Sequence, residues 1–229
     1  MAESKELPLS GRRAQAARND DRILEAARAV FVADPGAPIA AVAQQAGVGI
    51  SALYRRYASK EDLLRKLCGD GLQRYIAEVE AALADRRDPW SAFSDFMRRV
   101  VDADTSSLTV RLAGTFTPTE ELNREAARAQ RLNLELLERT RAAGAIRPDV
   151  EMNDVGMLLE QIATIQLGDE PRTRELRRRY LAVVLDGLSS RPGTPLPGRA
   201  PQWEELTGRW NPRSHAERHP ARGAGPLPS

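Results

Sequence analysis

The sequence predicts an all-α protein, a small three-helix unit followed by a larger helical bundle. Three observations carry this. Ala, Leu and Arg dominate the composition, while aromatic residues make up only 5% of the 229 residues. Apolar positions recur at helical spacing through most of the chain, with no stretch of strand alternation. Gly and Pro cluster between the periodic segments, where they end helices. With 41% hydrophobic residues the chain can bury one respectable core, or a small domain joined to a larger one.

The elements follow in order. Ile23, Leu24, Ala27, Val30 and Phe31 form the apolar stripe of a first helix over 20–33, with Asn19 or Asp20 as its N-cap. Asp34-Pro35-Gly36-Ala37-Pro38 stops it. A short second helix spans Ile39 to Ala46 and ends at Gly47, which reaches positive φ without Cβ strain. A third runs from Ile50 to Tyr57, with Leu53 and Tyr57 sharing the buried face as i, i+4 neighbours. Ser59 reads as the N-cap of a long fourth helix, Asp62 standing at N3, whose apolar positions continue to Leu83. Helix five covers about 89–103, and a weaker segment covers 106–113. Thr117-Pro118-Thr119-Glu120 is a capping box with Pro at N1, opening a helix to about Ala143. Two apolar helices follow over about 153–167 and 173–189. From Arg191 the chain is a Pro/Gly-rich tail expected to be mostly disordered, apart from a short helix over 202–209. The domain plan is therefore a basic arm (1–18), a three-helix unit (19–66), a helical bundle (67–190) and the tail (191–229).

Charge distribution separates these parts. Residues 1–60 carry nine Lys/Arg against six Asp/Glu, a net +3, so the remaining 169 residues sit at −1 within a total of +2. Arg12, Arg13 and Arg18 precede the first predicted helix, where a basic arm suits phosphate contact; a solvated tail is the other reading. The one cysteine, Cys68, excludes an internal disulfide and fits no metal-ligand spacing. The start of the chain has no signal-peptide core, and no apolar run approaches a membrane span, so a cytoplasmic location is expected.

The third helix carries the chemistry. Its outer face is small, polar and cationic, which allows a helix to approach base edges in the DNA major groove. Ser51 and Ala52 leave room, Arg55 can reach a guanine edge or a phosphate, Tyr54 offers a hydroxyl, and Lys60 can add a point charge at a phosphate. The same stretch, Gly47-Val48-Gly49-Ile50-Ser51-Ala52, fits a relaxed dinucleotide-binding fingerprint. That fingerprint needs a strand before it, and the preceding Ala- and Gln-rich segment reads as helix.

Val42-Ala43, Ala46-Gly47-Val48, Leu53-Tyr54-Arg55-Arg56-Tyr57 and Lys60-Glu61-Asp62-Leu63 stand at the spacing of a known pattern. Residues 22–64 resemble the helix-turn-helix DNA-binding domain of TetR-family repressors. The resemblance implies a DNA-binding set of Arg18, Gly49, Ser51, Ala52, Tyr54, Arg55, Arg56 and Lys60. Departures occur at Pro38, where the family commonly has Thr, at Gly49 and Ile50, and at Tyr57, which replaces a usual Phe and reads as core. Arg56 reads either as a phosphate contact or as a solvated side chain.

The resemblance further implies a double-stranded operator DNA, a small-molecule effector held in the bundle, and a homodimer formed by the last two helices. The sequence gives the dimer separate support. Leu158, Leu159 and Ile162 lie on one apolar face and Tyr180, Val183 and Val184 on another, suited to a four-helix interface unless both faces fill the chain's own core. For the effector pocket the candidates are Trp90, Phe93, Met97 and Phe116 as lining, with Arg111 and Gln161 as polar groups. An enzyme is not expected, and neither a cofactor nor a metal is assigned. Both histidines, His215 and His219, fall in the tail, which leaves the predicted folded part without one for acid-base work. A protein-binding adaptor built on the bundle is the remaining alternative to a DNA-binding regulator.

Overall fold

The computed structural model describes residues 9–189 and 193–210, with side chains from Asn19 onward and that of Thr109 excepted. The described residues are helical and hold no strand; the one β-like feature among them is an antiparallel bridge between Ile146 and Ser189. The chain divides into two compact units, 1–67 and 68–229.

The first unit holds α1 (Leu9–Ala33), α2 (Ile39–Ala46), α3 (Ile50–Arg56) and the start of α4 (Lys60–Ala84). Here α1 begins about ten residues before the predicted start, so Asn19 and Asp20 lie inside it and not at its N-cap. The run Arg12-Arg13-Ala14-Gln15-Ala16-Ala17-Arg18 is built from strong helix formers, and that propensity extends the helix beyond its apolar stripe. Part of the predicted basic arm is thus helix, while residues 1–8 lie outside the described residues. Ala27, Phe31, Val42, Leu53 and Leu63 are buried to completion and form the core of this unit. Ser59 caps α4, its Oγ accepting from the Asp62 amide at 3.0 Å while donating to the Asp62 carboxylate at 2.8 Å.

The second unit contains the rest of α4, then α5 (Pro89–Asp102), α6 (Thr105–Leu112), α7 (Glu120–Ala142), α8 (Met152–Ala163), α9 (Glu170–Leu188) and the short α10 (Trp203–Thr207). Phe93, Phe96 and Met97 from α5 meet Leu136 and Leu137 from α7, Val155, Leu159 and Ile162 from α8, and Leu181 and Leu185 from α9. Each fully buried aromatic or aliphatic side chain in such a cluster contributes about 1.5–3 kcal/mol against exposure.

Three helix ends differ from expectation. Thr119, two residues past Thr117, caps α7 by accepting from the Leu122 amide at 3.2 Å, which leaves Pro118 outside the helix. α8 stops at Ala163, because Arg177 reaches over from α9 and takes the carbonyls of Ala163 (2.8 Å) and Ile165 (3.1 Å). Asp169 caps α9 from an earlier start, with Pro171 in the first turn, where its missing N–H costs nothing.

The described part of the tail, 193–210, makes hydrogen bonds to its own unit, and α10 falls within the short helix expected over 202–209. Arg147 Nη2 donates to the Thr194 carbonyl at 2.8 Å, and Asn153 Nδ2 donates to the Pro201 carbonyl at 2.6 Å. Residues 211–229, also expected to be disordered, lie outside the described residues.

Candidate nucleic-acid interface and ligand cavity

The turn between α2 and α3 is set by Gly47, which adopts φ 63° and donates its amide back to the Gln44 carbonyl at 3.1 Å. A left-handed residue here ends α2 within one position and redirects the chain toward Gly49, the extended N-cap of α3. No strand precedes Gly47-Val48-Gly49, so the dinucleotide reading falls. Arg22 closes the end of α2 from α1, donating to the Ala46 carbonyl at 2.6 Å. A lone Arg on the first helix gave no sequence signal for this role.

α3 divides sharply into two faces. Leu53 is fully buried and Tyr57, its C-cap, nearly so. Burial pushes the Tyr57 hydroxyl up to about 12, and that hydroxyl points toward the Asp20 carboxylate at 3.4 Å. Ser51, Tyr54, Arg55 and Arg56 are exposed, Ala52 is half-buried, and Tyr54 shows 49% of its surface. Gly49 is exposed with open space where a Cβ would stand. The side chain of Arg18 lies outside the described residues.

Two of the candidate cations already have partners. Arg56 forms a two-point ion pair with Asp20 on α1, its Nε donating to Oδ1 at 2.6 Å and its Nη2 to Oδ2. This bond raises the guanidinium above its ordinary value. Lys60 Nζ donates to the carbonyls of Pro35 (2.9 Å) and Ala37 (2.7 Å) and sits 5.0 Å from the centre of the Phe31 ring. Burial lowers its pKa. It ties the α1–α2 loop to the start of α4, so it is a brace within the fold before it is a phosphate contact.

The second unit contains a cavity of about 290 Å³. Its walls are Cys68, Leu72 and Tyr75 of α4, Leu108 of α6, Leu122, Gln130 and Asn133 of α7, and Met152, Gly156 and Leu159 of α8. Phe116 is the one predicted pocket residue on this wall. Phe93 and Met97 instead fill the solid core, and Trp90 stacks on Phe93 with ring centres 5.9 Å apart. Arg111 donates to Gln166 on the surface at 2.8 Å, and Gln161 is exposed. Aromatic residues on the strongly amphipathic α5 pack into the core and do not line this cavity. The amides Gln130 and Asn133 and the tail residues Trp203, Leu206, Arg209 and Trp210 were missed.

The dimer candidates also separate. Leu159 (3% exposed) and Ile162 (4%) belong to the chain's own core and cannot serve a second copy. Tyr180 (49%) and Val183 (65%) stand outward on α9, with Leu158 and Val184 half-buried beside the core. An i, i+4 apolar face that packs inward and one that packs outward are identical in sequence. No helix of the described residues is long and apolar enough to cross a membrane.

A helix-turn-helix unit with an exposed polar third helix, joined to an all-helical unit around a cavity, defines a transcriptional regulator. The comparisons name the family. Residues 23–67 match the bacterial regulatory proteins of the tetR family, and residues 88–190 match the C-terminal domain of SbtR-like transcriptional regulators. A TetR transcriptional regulator of Streptomyces coelicolor is 30% identical, with 74% of this chain and 98% of that one covered and a TM-score of 0.52. A TetR transcription regulatory protein of Mycobacterium vanbaalenii is 29% identical over 77% of this chain and 98% of that one, with a TM-score of 0.51. The HTH-type transcriptional repressor LfrR of Mycolicibacterium smegmatis is 38% identical over 82 residues, 35% of this chain and 41% of that protein. The match therefore spans about two-fifths of that curated relative. The chain belongs to the TetR family of transcriptional regulators.

Proposed function

We propose that the protein is a ligand-released repressor that binds a pseudo-palindromic operator as a homodimer. The observation that carries this reading is the division of α3, where Leu53 and Tyr57 anchor the helix from beneath and Ser51, Tyr54 and Arg55 face solvent. Ser51 and Ala52 at the helix start keep the backbone close to a groove floor, and Arg55 can pair with a guanine edge. One seven-residue helix spans too few base pairs for selectivity, and a two-fold pair spaced by one helical turn supplies the rest. The apolar surface of Tyr180 and Val183 supports a second copy on α9. Ser51, Ala52, Tyr54 and Arg55 are the base-facing set, with Gly49, Arg18 and Lys60 assigned to phosphates and Arg56 to holding α3 through Asp20.

Effector release follows from α4. Its first residues belong to the DNA-binding unit, and Cys68, Leu72 and Tyr75 farther along the same helix line the cavity. A ligand that binds one setting of α4 better than another changes operator affinity by the same differential. Repression is favoured over activation by the likeness to LfrR.

Electrophoretic mobility shift with the DNA upstream of the protein's own gene tests the reading. A discrete band that resists unrelated competitor duplex and contains two protomers is expected. Equal competition by unrelated duplex overturns it.

A further inference from the structure

The SbtR-like domain match ends at residue 190, yet the cavity wall does not. Trp203, Leu206, Arg209 and Trp210 all line it from the segment beyond. We propose that residues 193–210 complete the cavity as its outer wall. Its occupant is an uncharged, largely apolar molecule that offers a hydrogen-bond acceptor to Asn133 and a donor to Gln130. The ligand class rests on the effector reading above; the wall stands on its own observations.

Three contacts seat the wall. Arg209 makes a two-point ion pair with Glu160 of α8, at 2.5 and 2.8 Å. The Trp210 ring meets Phe116 edge to face, 5.6 Å between centres. Asn153 holds the Pro201 carbonyl at 2.6 Å and accepts from Gln130 Nε2 at 3.0 Å, which joins the tail to α7 through one line of amides. Arg209 and Glu160 are both partly shielded from water, where a paired guanidinium and carboxylate hold each other more firmly than on an open surface.

The chemistry of the occupant follows from what the lining offers. Glu160 and Arg209 are the ionic groups on it, and each neutralises the other. A charged ligand would therefore lose its hydration and meet no unpaired counter-charge, at a cost that apolar contact does not offset. Leu, Met, Ala, Phe and Trp make up about half of the remaining lining, and the polar residues beside them are uncharged. Beside the exposed Asn123, two further amides of α7 each keep one function open to the cavity. Asn133 accepts from the Tyr75 hydroxyl at 3.0 Å through its Oδ1, which leaves its Nδ2 to donate to an occupant. Gln130 spends its Nε2 on Asn153, which leaves its Oε1 as an acceptor. A donor and an acceptor one helical turn apart on α7 select a molecule that bears both.

The test uses the full chain and two naphthalene fluorophores, one neutral and one anionic. Prodan is neutral and carries a ketone acceptor for Asn133 but no donor for Gln130, so it probes the charge and the acceptor of the occupant; 6-(p-toluidino)naphthalene-2-sulfonate is an anion. Prodan is expected to bind saturably, one per chain, at least tenfold more tightly than the sulfonate. Arg209→Ala and Trp210→Ala, each confirmed folded by its thermal melt, should weaken Prodan binding at least fivefold. In unaltered protein, bound Prodan should slow the reaction of N-ethylmaleimide with Cys68, the only cysteine in the sequence and a wall residue. Equal or tighter sulfonate binding overturns the ligand class. Undiminished Prodan binding in both variants overturns the wall. Absence of Cys68 protection overturns the placement. None of these readouts involves DNA, so a cavity ligand that binds as described yet leaves operator affinity unchanged contradicts the effector reading alone.

Discussion

Arg56, the last residue of α3, is clamped to Asp20 in the middle of α1 by two charge-assisted hydrogen bonds, whereas Arg55 beside it has no ion pair among the described residues. Adjacent arginines in one helix thus have different work. Arg56 ties α3 to α1, and Arg55 stands exposed, open to the DNA contact proposed for it.

Arg55→Ala should cost about 1–3 kcal/mol of operator affinity, the range for a bidentate base contact. Arg56→Ala and Asp20→Ala should each lower stability by only about 0.2–1 kcal/mol, because Arg56 is largely exposed to water. Their effects on operator affinity should match each other, since both release the same clamp. Anisotropy titration of the four proteins checks this; a loss at Arg56 as large as that at Arg55, with Asp20→Ala neutral, would place Arg56 directly on DNA.

Gly47→Ala should destabilise the fold by about 1–2 kcal/mol. Its φ of 63° puts any Cβ in the left-handed region, and that atom would stand 3.1 Å from the Arg22 guanidinium. Urea unfolding measures the loss. An unchanged midpoint would show that the turn tolerates another geometry.

The two halves of the proposed dimer surface should respond differently to substitution. Leu159→Ala should cost about 2–5 kcal/mol of stability, as removal of a core side chain does. Val183→Glu, on a side chain 65% exposed, should leave the melting temperature of the monomer intact and reduce the mass seen by light scattering to one chain. A dimer that survives Val183→Glu together with Tyr180→Glu would move the interface away from α9.

Stability should fall at alkaline pH. Burial raises the Cys68 thiol from 9.0 to about 12 and the Tyr57 hydroxyl from 10.0 to about 12. The unfolded chain releases these protons first, so the stabilisation is complete below pH 9 and is lost as pH climbs from 9 toward 12. Tyr57→Phe and Cys68→Ala should each flatten the decline of the denaturant midpoint across that window. A slope identical to the parent protein's in both variants would assign the decline to other groups.

The sequence made the fold legible wherever a local signal was decisive. α2 matches the expected Ile39–Ala46, because Gly47 can end the helix in only one way. The N-cap at Ser59 was equally plain, since its chemistry is complete within four residues. What escaped was the outcome of competition between distant groups. Thr119 and Thr117 are equivalent caps until the loop before α7 is placed. Arg177 shortens α8 from 12–14 residues away, which no window of periodicity registers. The exposed face of α3 is readable because a short helix leaves outward what its buried face does not use. The cavity is not, since its wall is assembled from α4, α6, α7, α8 and a tail whose Pro and Gly content suggested disorder.

Hydroxyl-radical footprinting of the upstream DNA, with the parent protein and with Arg55→Ala, tests the central claim most directly. The account predicts two protected half-sites one helical turn or a whole multiple apart, related by two-fold symmetry, both fading in parallel in Arg55→Ala. A single protected patch without symmetry, or full protection by Arg55→Ala at the same concentration, would contradict it.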